Sequence, residues 1–565
     1  MASRNASDAW SRHYAPATPH TIDATRFTSI PALIADSVQR HPTRTALLCL
    51  GATLTYAEFD TLSARFAAWL QRECSVRAGD RVAIMLPNLL QFPVALLGAM
   101  RAGATVVNIN PLYTAHELTA LLEDAECSVI VVMENFADKV AALPARLRPQ
   151  VIVTGPGDLH DAVRRVLLNG ANHWLRGGRR AVRQLQAPGH RFRTCITRYT
   201  ADDLDEVAPV ASDIALLQYT GGTTGTPKGV MLSHGNIVAN TLQCGAWFAG
   251  FVQDEGEVML TPLPLYHIYA LTASLLVFLR LGGTCHLVPD PRDIAHVVHA
   301  MQNPPCTAMT GVNTLFRNLL QHPAFTSASF DALKLTSAGG MAIAADVARA
   351  WQDATGCLIL EGYGLTEASP VVTCNPVTLH EFNGSIGLPL PSTTCSIRDG
   401  DGEELPDGAP GELWVQGPQV MQGYWRRPEL TAATLDAQGW LHTGDIATRD
   451  TEGFLRIVDR KKDMIIVSGF NVYPAEVEQA LAAIEGVLEV AVIGVPDDER
   501  GESIVAFVVR ADSALTADQL IAAAKQRLAS YKRPQEIVFV ESLPKSQIGK
   551  IVKRDLRSRL NRENV

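Results

Sequence analysis

The sequence predicts a mixed α/β protein: a large N-terminal domain over residues 1–458, built of two packed α/β subdomains plus a small β-barrel-like unit, then a small α+β domain over 459–565. Three observations lead there. Helical and strand-like runs alternate through most of the chain, short β-rich runs divided by Gly, Pro and Asp take over at about 384–457, and a compact helix-and-strand tail follows. At 565 residues the chain has room for several buried cores, and 47% hydrophobic against 19% charged residues is the balance of a packed globular protein.

From Thr53 to Asn110 the spacing predicts a helix around Tyr56–Arg72, an apolar strand at Arg81–Met85, a helix at Pro93–Arg101 and a strand at Thr105–Asn108. That is the βαβ rhythm of a parallel sheet covered by helices. It recurs at Cys127–Glu134, at Asp213–Tyr219, between Thr284 and Leu320, and around Leu333–Leu360. From Gly384 to Ile457 turn signals such as Asp399-Gly400-Asp401-Gly402 and Asp407-Gly408 break the chain into short β runs, a small all-β unit. After Asp459 the pattern predicts a helix at Pro474–Ala483, strands at Glu489–Val495 and Ile504–Arg510, a helix at Thr516–Ser530 and a strand at Glu536–Glu541. A domain boundary is expected near Asp459–Lys462.

Composition excludes several functions. Lys plus Arg total 49 against 58 for Asp plus Glu, and a net charge of −9 argues against a general polyanion binder, so nucleic acid is not an expected partner. The ten cysteines are scattered with no C-x-x-C pair and no zinc spacing, which reads as buried thiols in a reducing compartment. Met1–Pro31 has no continuous apolar core for export, and the apolar runs Val94–Met100 and Leu271–Leu279 are closed by Arg101 and Arg280 short of the ~20 residues a spanning helix needs. The expected location is cytoplasmic.

One segment departs from this acidic balance. Between Ala162 and Ala201 there are nine arginines (164, 165, 176, 179, 180, 183, 191, 193 and 198) and no Asp or Glu, interleaved with Val166, Leu167, Leu168, Trp174, Leu175, Val182 and Leu185. Two readings stand open: an amphipathic patch for an anionic lipid surface, or a solvated helix face.

The strongest local signal is Tyr219-Thr220-Gly221-Gly222-Thr223-Thr224-Gly225-Thr226-Pro227-Lys228-Gly229, directly after the apolar strand Ile214–Gln218. Glycines let backbone N–H groups turn toward an anion, Thr hydroxyls add donors and Lys228 adds a point charge, which describes a phosphate cradle. A Walker A loop needs Gly-Lys-Ser/Thr, whereas here Pro227 precedes Lys228 and Gly229 follows it.

This stretch resembles the phosphate loop of the adenylate-forming superfamily, which holds acyl-CoA synthetases, aryl-CoA ligases, luciferases and peptide-synthetase adenylation domains. Other segments with the family's look follow in order: Ala338-Gly339-Gly340 (adenine pocket), Glu361-Gly362-Tyr363-Gly364-Leu365-Thr366-Glu367 (nucleotide and metal), Leu441-His442-Thr443-Gly444-Asp445 (ribose), Asp459-Arg460-Lys461-Lys462-Asp463 (hinge) and Pro544 through Ile551 (catalytic lysine). The resemblance covers the chain from about residue 30 to its end. It departs at Gly221, where Ser is usual, leaving Thr220, Thr223 and Thr224 as donors.

The resemblance implies roles. Glu367 would hold Mg²⁺ through a hard oxygen beside Thr366. Asp445 would accept from the ribose hydroxyls, with Ile457 and Arg460 nearby, and Tyr363 would stack on adenine. Lys550, a preorganised cation, would stabilise the transition state in which the substrate carboxylate attacks the α-phosphate of ATP. Lys462 would be the pivot of a mobile C-terminal domain that then swings the loop containing Gly469 and Phe470 inward and opens a tunnel for a thiol.

Pro262-Leu263-Pro264-Leu265-Tyr266-His267, followed by an apolar helix at Ile268–Leu279 with no charged residue, resembles an acyl-pocket wall with His267 near the carboxylate. A lone His beside an apolar helix also reads as a satisfied core residue. The nearest likeness is to bacterial long-chain fatty acyl-CoA synthetases, which implies ATP, Mg²⁺ and CoA as cofactor and co-substrates. The expected partners are a long-chain fatty acid and CoA, the membrane surface through residues 162–201, and a second copy as a homodimer. Activation of a medium-chain or aromatic acid, and a non-catalytic acyl- or nucleotide-binding regulator, are the rival readings.

Overall fold

The computed structural model describes residues 10–147, 149–185, 189–220, 227–249, 256–467, 470–497, 500–545 and 551–563. The chain forms two compact units: residues up to Thr394 with Val415–Leu441, and Cys395–Trp414 with the chain from His442 onward. Each is described by itself.

In the first unit, βαβ repeats build two open sheets. One runs in the order Gly423–Tyr424, Lys228–Ser233, Ile214–Thr220, Thr105–Asn108, Arg81–Met85, Val129–Met133, Gln150–Thr154, His190–Arg191. From Ile214–Thr220 onward every neighbour is parallel, while Lys228–Ser233 and Gly423–Tyr424 close the other edge antiparallel. The other sheet is parallel across Ile359–Gly364, Leu335–Ala338, Ala308–Gly311, Val258–Thr261, Thr284–Leu287 and Thr45–Cys49, with antiparallel strands at both edges. Strands such as Val129–Met133 are buried along their whole length, as expected of parallel strands covered on both faces.

The helices follow local rules. Thr55 and Glu58 form a reciprocal capping box that starts Tyr56–Glu73. The helix buries Phe59, Phe66, Trp69 and Leu70 on one face. Its neighbour Gln91–Arg101 approaches closely because Gly98 lacks a Cβ, which would sit 2.8 Å from the Ser63 carbonyl oxygen and from the Phe66 ring.

The second unit holds a four-stranded sheet (Thr394–Arg398, Gly411–Gln416, Leu441–Arg449, Leu455–Arg460) and a five-stranded one. In the latter the hairpin Val487–Asp497 and Gly501–Arg510 is packed by helices Pro474–Ala482 and Ala517–Arg527 around Val477, Leu481, Val492, Ile504 and Leu520.

The expected apolar helix at Ile268–Leu279 differs in winding. Ala270–Leu276 is a π-helix, with α winding only at Ile268 and Tyr269 before it and at Val277–Arg280 after it. Two buried hydroxyls find partners in this wider stretch: Thr272 donates to the Ser369 carbonyl at 2.9 Å, and Ser274 lies 2.8 Å from Thr310. Periodicity cannot report such bonds. Among the described residues no helix is long and apolar enough to cross a membrane. All ten cysteines are free and burial pushes their thiols up, Cys49 to about 12.

Candidate active site

Three of the segments singled out in the sequence leave parallel strands of one sheet. Register places Gly311, Ala338 and Glu361 in one row, and the chain leaves Val258–Thr261 for opposite sides of it in turn. In open α/β sheets, ligands bind beyond the carboxyl ends of strands at such a reversal. Pro262–His267, Ala338–Gly340 and Glu361–Glu367 all leave from these ends.

Close approaches explain the glycines. A Cβ on Gly339 would lie 3.1 Å from Tyr269 Cζ, whereas Gly340 has φ +81° and open space where a side chain would be. On Gly364 a Cβ would fall 2.2 Å from the Pro370 carbonyl oxygen, so the turn into Thr366–Ala368 closes only on glycine. Gly362 abuts the Thr373 carbonyl, and Tyr363, half-buried, pairs with Thr373 across the strands. Glu361 is buried, with Oε1 accepting from Ile343 N at 3.3 Å. Thr366 is buried and Glu367 half-buried.

Glu367 has a partner the sequence did not suggest. Tyr424 Oη donates to Glu367 Oε1 at 2.7 Å, and Met421 N donates to the Glu367 carbonyl at 2.8 Å. Burial and the adjacent Glu367 carboxylate raise the phenol's pKa, so it remains a donor. Lys228 Nζ lies 5.9 Å from the centre of the same ring. Tyr424 thus bonds Glu367 and lies within cation–π range of Lys228.

The phosphate loop itself, Gly221, Gly222, Thr223, Thr224, Gly225 and Thr226, lies outside the described residues. Its flanks are paired: Thr220 sits opposite Lys228 and Tyr219 opposite Gly229, with Pro227 leading into the second strand. Tyr219 is 6% exposed, and its hydroxyl donates to Asp124 Oδ2 at 2.7 Å, while Arg427 Nη2 donates to Asp124 Oδ1 at 2.9 Å. The ring is part of the core, and its hydroxyl is committed to Asp124.

His267 is half-buried where the π-helix begins, with Nδ1 accepting from Tyr269 N at 3.4 Å. Its approach segment is held from a distance. Asn88 Nδ2 donates to the Thr261 and Leu263 carbonyls at 2.9 and 2.8 Å, and its Oδ1 accepts from Leu265 N at 2.8 Å. Gln218, last before Tyr219, donates to the Tyr266 carbonyl at 3.0 Å. No local motif marks Asn88 or Gln218; a buried amide in an otherwise apolar strand end was their only signal.

In the second unit, Asp445 is 3% exposed and pairs across the strands with Arg460, whose Nε lies 3.0 Å from Asp445 Oδ1. Gly444 N and Lys461 Nζ donate to the two oxygens of Glu412, and Ile457 pairs with Ala447. Asp459 Oδ2 accepts from Ala475 N at 2.7 Å, at the start of Pro474–Ala482. Burial, helped by Arg460, lowers the Lys462 pKa. Phe470 opens a strand whose backbone pairs it with Val467; Gly469 and Lys550 lie outside the described residues.

Residues 34–425 match the family described as AMP-binding enzyme, and residues 476–550 match the AMP-binding enzyme C-terminal domain. The chain belongs to the AMP-binding enzyme family. This AMP-binding enzyme is 45% identical to a long-chain-fatty-acid–CoA ligase of Yersinia pestis, with 97% of each chain covered, and 44% identical to one of Salmonella typhimurium at the same coverage. Its fold is shared with a crystal structure of ATP bound MatB from Rhodopseudomonas palustris at TM-score 0.82 and 30% identity, covering 95% of this chain and 99% of that one.

The AMP-binding enzyme's donor set suits Mg²⁺. Among the described residues no group of three or more His, Cys, Asp or Glu forms a metal cage. Mg²⁺ needs none, because it keeps several waters and is bound through one or two carboxylates plus substrate phosphates. Glu367, hydrogen-bonded by Tyr424, would be a carboxylate of that kind.

Proposed function

We propose that this AMP-binding enzyme activates long-chain fatty acids. The fatty acid carboxylate attacks the α-phosphorus of ATP, forming an acyl–phosphate bond and releasing pyrophosphate. The thiol of CoA then attacks the acyl carbon, giving acyl-CoA and AMP. Since the substrate carboxylate is itself the nucleophile, no covalent enzyme intermediate is needed.

The observation that supports an apolar acid is the π-helical wall. Ala270–Leu276 is buried throughout, no charged residue occurs from Ile268 to Leu279, and Thr272 ties this wall to the Glu367 turn through the Ser369 carbonyl. An alkyl chain against that wall would set its carboxylate near the strand ends. Asn88 and Gln218 would hold the turn that carries His267, orienting the acid. Glu367 would hold Mg²⁺, which when bound supplies positive charge to the phosphate oxygens.

On the resemblance, Lys228 and the Thr hydroxyls would bind phosphate, Asp445 and Arg460 the ribose, and Lys550 the charge that develops at the α-phosphate. Lys462, Gly469 and Phe470 would serve the thiol step. Docking at a lipid surface through residues 162–201 and a homodimer belong to the same reading.

The test is pyrophosphate release from ATP across acids of increasing chain length, with and without CoA, for wild type and Lys550→Ala. The expected result is release that requires a long-chain acid, yields acyl-CoA only with CoA, and falls about 10²- to 10³-fold in the variant. Folded protein that releases no pyrophosphate on addition of any acid would instead be an acyl- or nucleotide-binding regulator.

A further inference from the structure

The basic segment forms two helices, Ala162–Leu175 and Gly178–Arg183, and the first is turned inside out. Its polar side chains face the protein. Asn169 Nδ2 donates to Asp158 Oδ1 at 2.9 Å and its Oδ1 accepts from Gly157 N at 2.8 Å. Asn172 Nδ2 and His173 Nε2 lie 3.2 and 2.8 Å from one oxygen of Glu134, a buried carboxylate whose other oxygen accepts from Arg191 at 2.6 Å. Glycines permit this docking: a Cβ on Gly155 would sit 2.5 Å from Asn169 Oδ1, and one on Gly178 would sit 2.6 Å from Asn172 Nδ2.

The apolar side chains consequently point outward. Val163, Val166, Leu167 and Trp174 are 70, 68, 66 and 75% exposed, and their spacing places them along one stripe of the helix. Exposed arginines rim this stripe: Arg164 and Arg176 on the first helix and its end, Arg179, Arg180 and Arg183 on the second. The Arg179 guanidinium lies 5.6 Å from the centre of the Trp174 ring. A surface helix ordinarily buries its apolar stripe and solvates its polar one. Here a polar network anchors the reverse arrangement.

We infer that this face docks on an anionic phospholipid bilayer, with Val163, Val166, Leu167 and Trp174 in the headgroup–acyl boundary and the arginines on lipid phosphates. Charge selects the partner. The face is cationic within a chain of net charge −9, and two copies meeting symmetrically through it would set arginine against arginine. Tryptophan suits the interfacial depth, since its ring is amphipathic. This deepens the lipid-surface part of the proposed function and rests on the helix, not on the identity of the acid.

Flotation with vesicles of phosphatidylcholine alone, and of equal parts phosphatidylcholine and phosphatidylglycerol, tests it on the full chain. Wild type is expected to float with the anionic vesicles, less so as salt rises. Each lost cation near the surface is worth about fivefold in binding, so Arg179→Glu with Arg180→Glu should weaken it by about 25-fold or more. Leu167→Glu with Trp174→Glu should also abolish flotation, and Trp174→Phe should remove a vesicle-induced blue shift of the tryptophan emission. Wild type that stays unbound at low salt, or variants that bind like wild type, would overturn the inference. So would vesicle-free self-association abolished by Leu167→Glu, which would assign the face to a second copy. None of these residues lies in the active site, so pyrophosphate release on a long-chain acid presented in neutral detergent micelles, without vesicles, should be unchanged in every variant. That assay therefore reports on the catalytic reading separately from the docking.

Discussion

Removing one hydroxyl tests how Glu367 is held. Tyr424→Phe keeps the ring that packs at 6% exposure and faces Lys228, and deletes only the donor 2.7 Å from Glu367 Oε1. A hydrogen bond to a charged group contributes about 1.5–3 kcal/mol. Because Glu367 is half-buried, water can replace part of that, and the lower end applies. About 1.4 kcal/mol is a tenfold change, so kcat/KM for ATP should fall about tenfold, with the Mg²⁺ concentration for half-maximal rate rising by a similar factor. Tyr424→Leu, which also removes the ring beneath Lys228, should lose more. The assay is acid-dependent pyrophosphate release titrated with Mg²⁺ at fixed ATP, with circular dichroism to confirm folding. A folded Tyr424→Phe protein with unchanged Mg²⁺ dependence would refute the claim that this hydroxyl orients the metal-segment carboxylate.

Gly364→Ala places a Cβ 2.2 Å from the Pro370 carbonyl oxygen and 2.8 Å from its carbon, and backbone cannot swing aside as a side chain can, so the variant should lose about 1–3 kcal/mol by thermal denaturation and most of its pyrophosphate release. Acid sensitivity should come from His234 and His286, which burial lowers from 6.5 to about 4. The unfolded chain takes up these protons near pH 6.5 while the folded one resists until about 4, so stability is complete above 6.5 and declines as pH falls through that interval, by ~3 kcal/mol at most for each histidine. His234 Nδ1 accepts from Ile30 N at 3.3 Å, and His234→Gln, in which an amide oxygen can accept in its place, should remove about half of the slope in urea unfolding measured across this range.

Much of the first unit was legible in the chain because its signals are local. Arg81–Met85 and Thr105–Asn108 are strands with the bounds expected of them, each a short apolar run closed by turn residues. Helix Tyr56–Glu73 starts where Thr55 and Glu58 predict, since a capping box needs only neighbours. The segment around Glu361 was visible for the same reason: glycine at 364, where backbone must approach backbone, leaves its mark in one stretch of sequence.

Tertiary structure decided what depends on pairing across long separations. Tyr424 meets Glu367 across 57 residues and Asn88 meets Leu265 across 177, and no periodicity carries such a contact. Tyr219 shows the limit within a motif: its place beside the loop is sequential, but the side chain is claimed by Asp124, 95 residues away. The winding of Ala270–Leu276 follows apolar residues that fit an α-helix or a π-helix equally, with the Ser369 and Thr310 contacts meeting its buried hydroxyls. The helix Ala162–Leu175 is the clearest case. Its amphipathic pattern is written in the sequence, but a pattern has no inside. Only the buried Glu134 carboxylate and Asp158, each in need of donors, turned the polar stripe toward the protein and left the apolar one facing out.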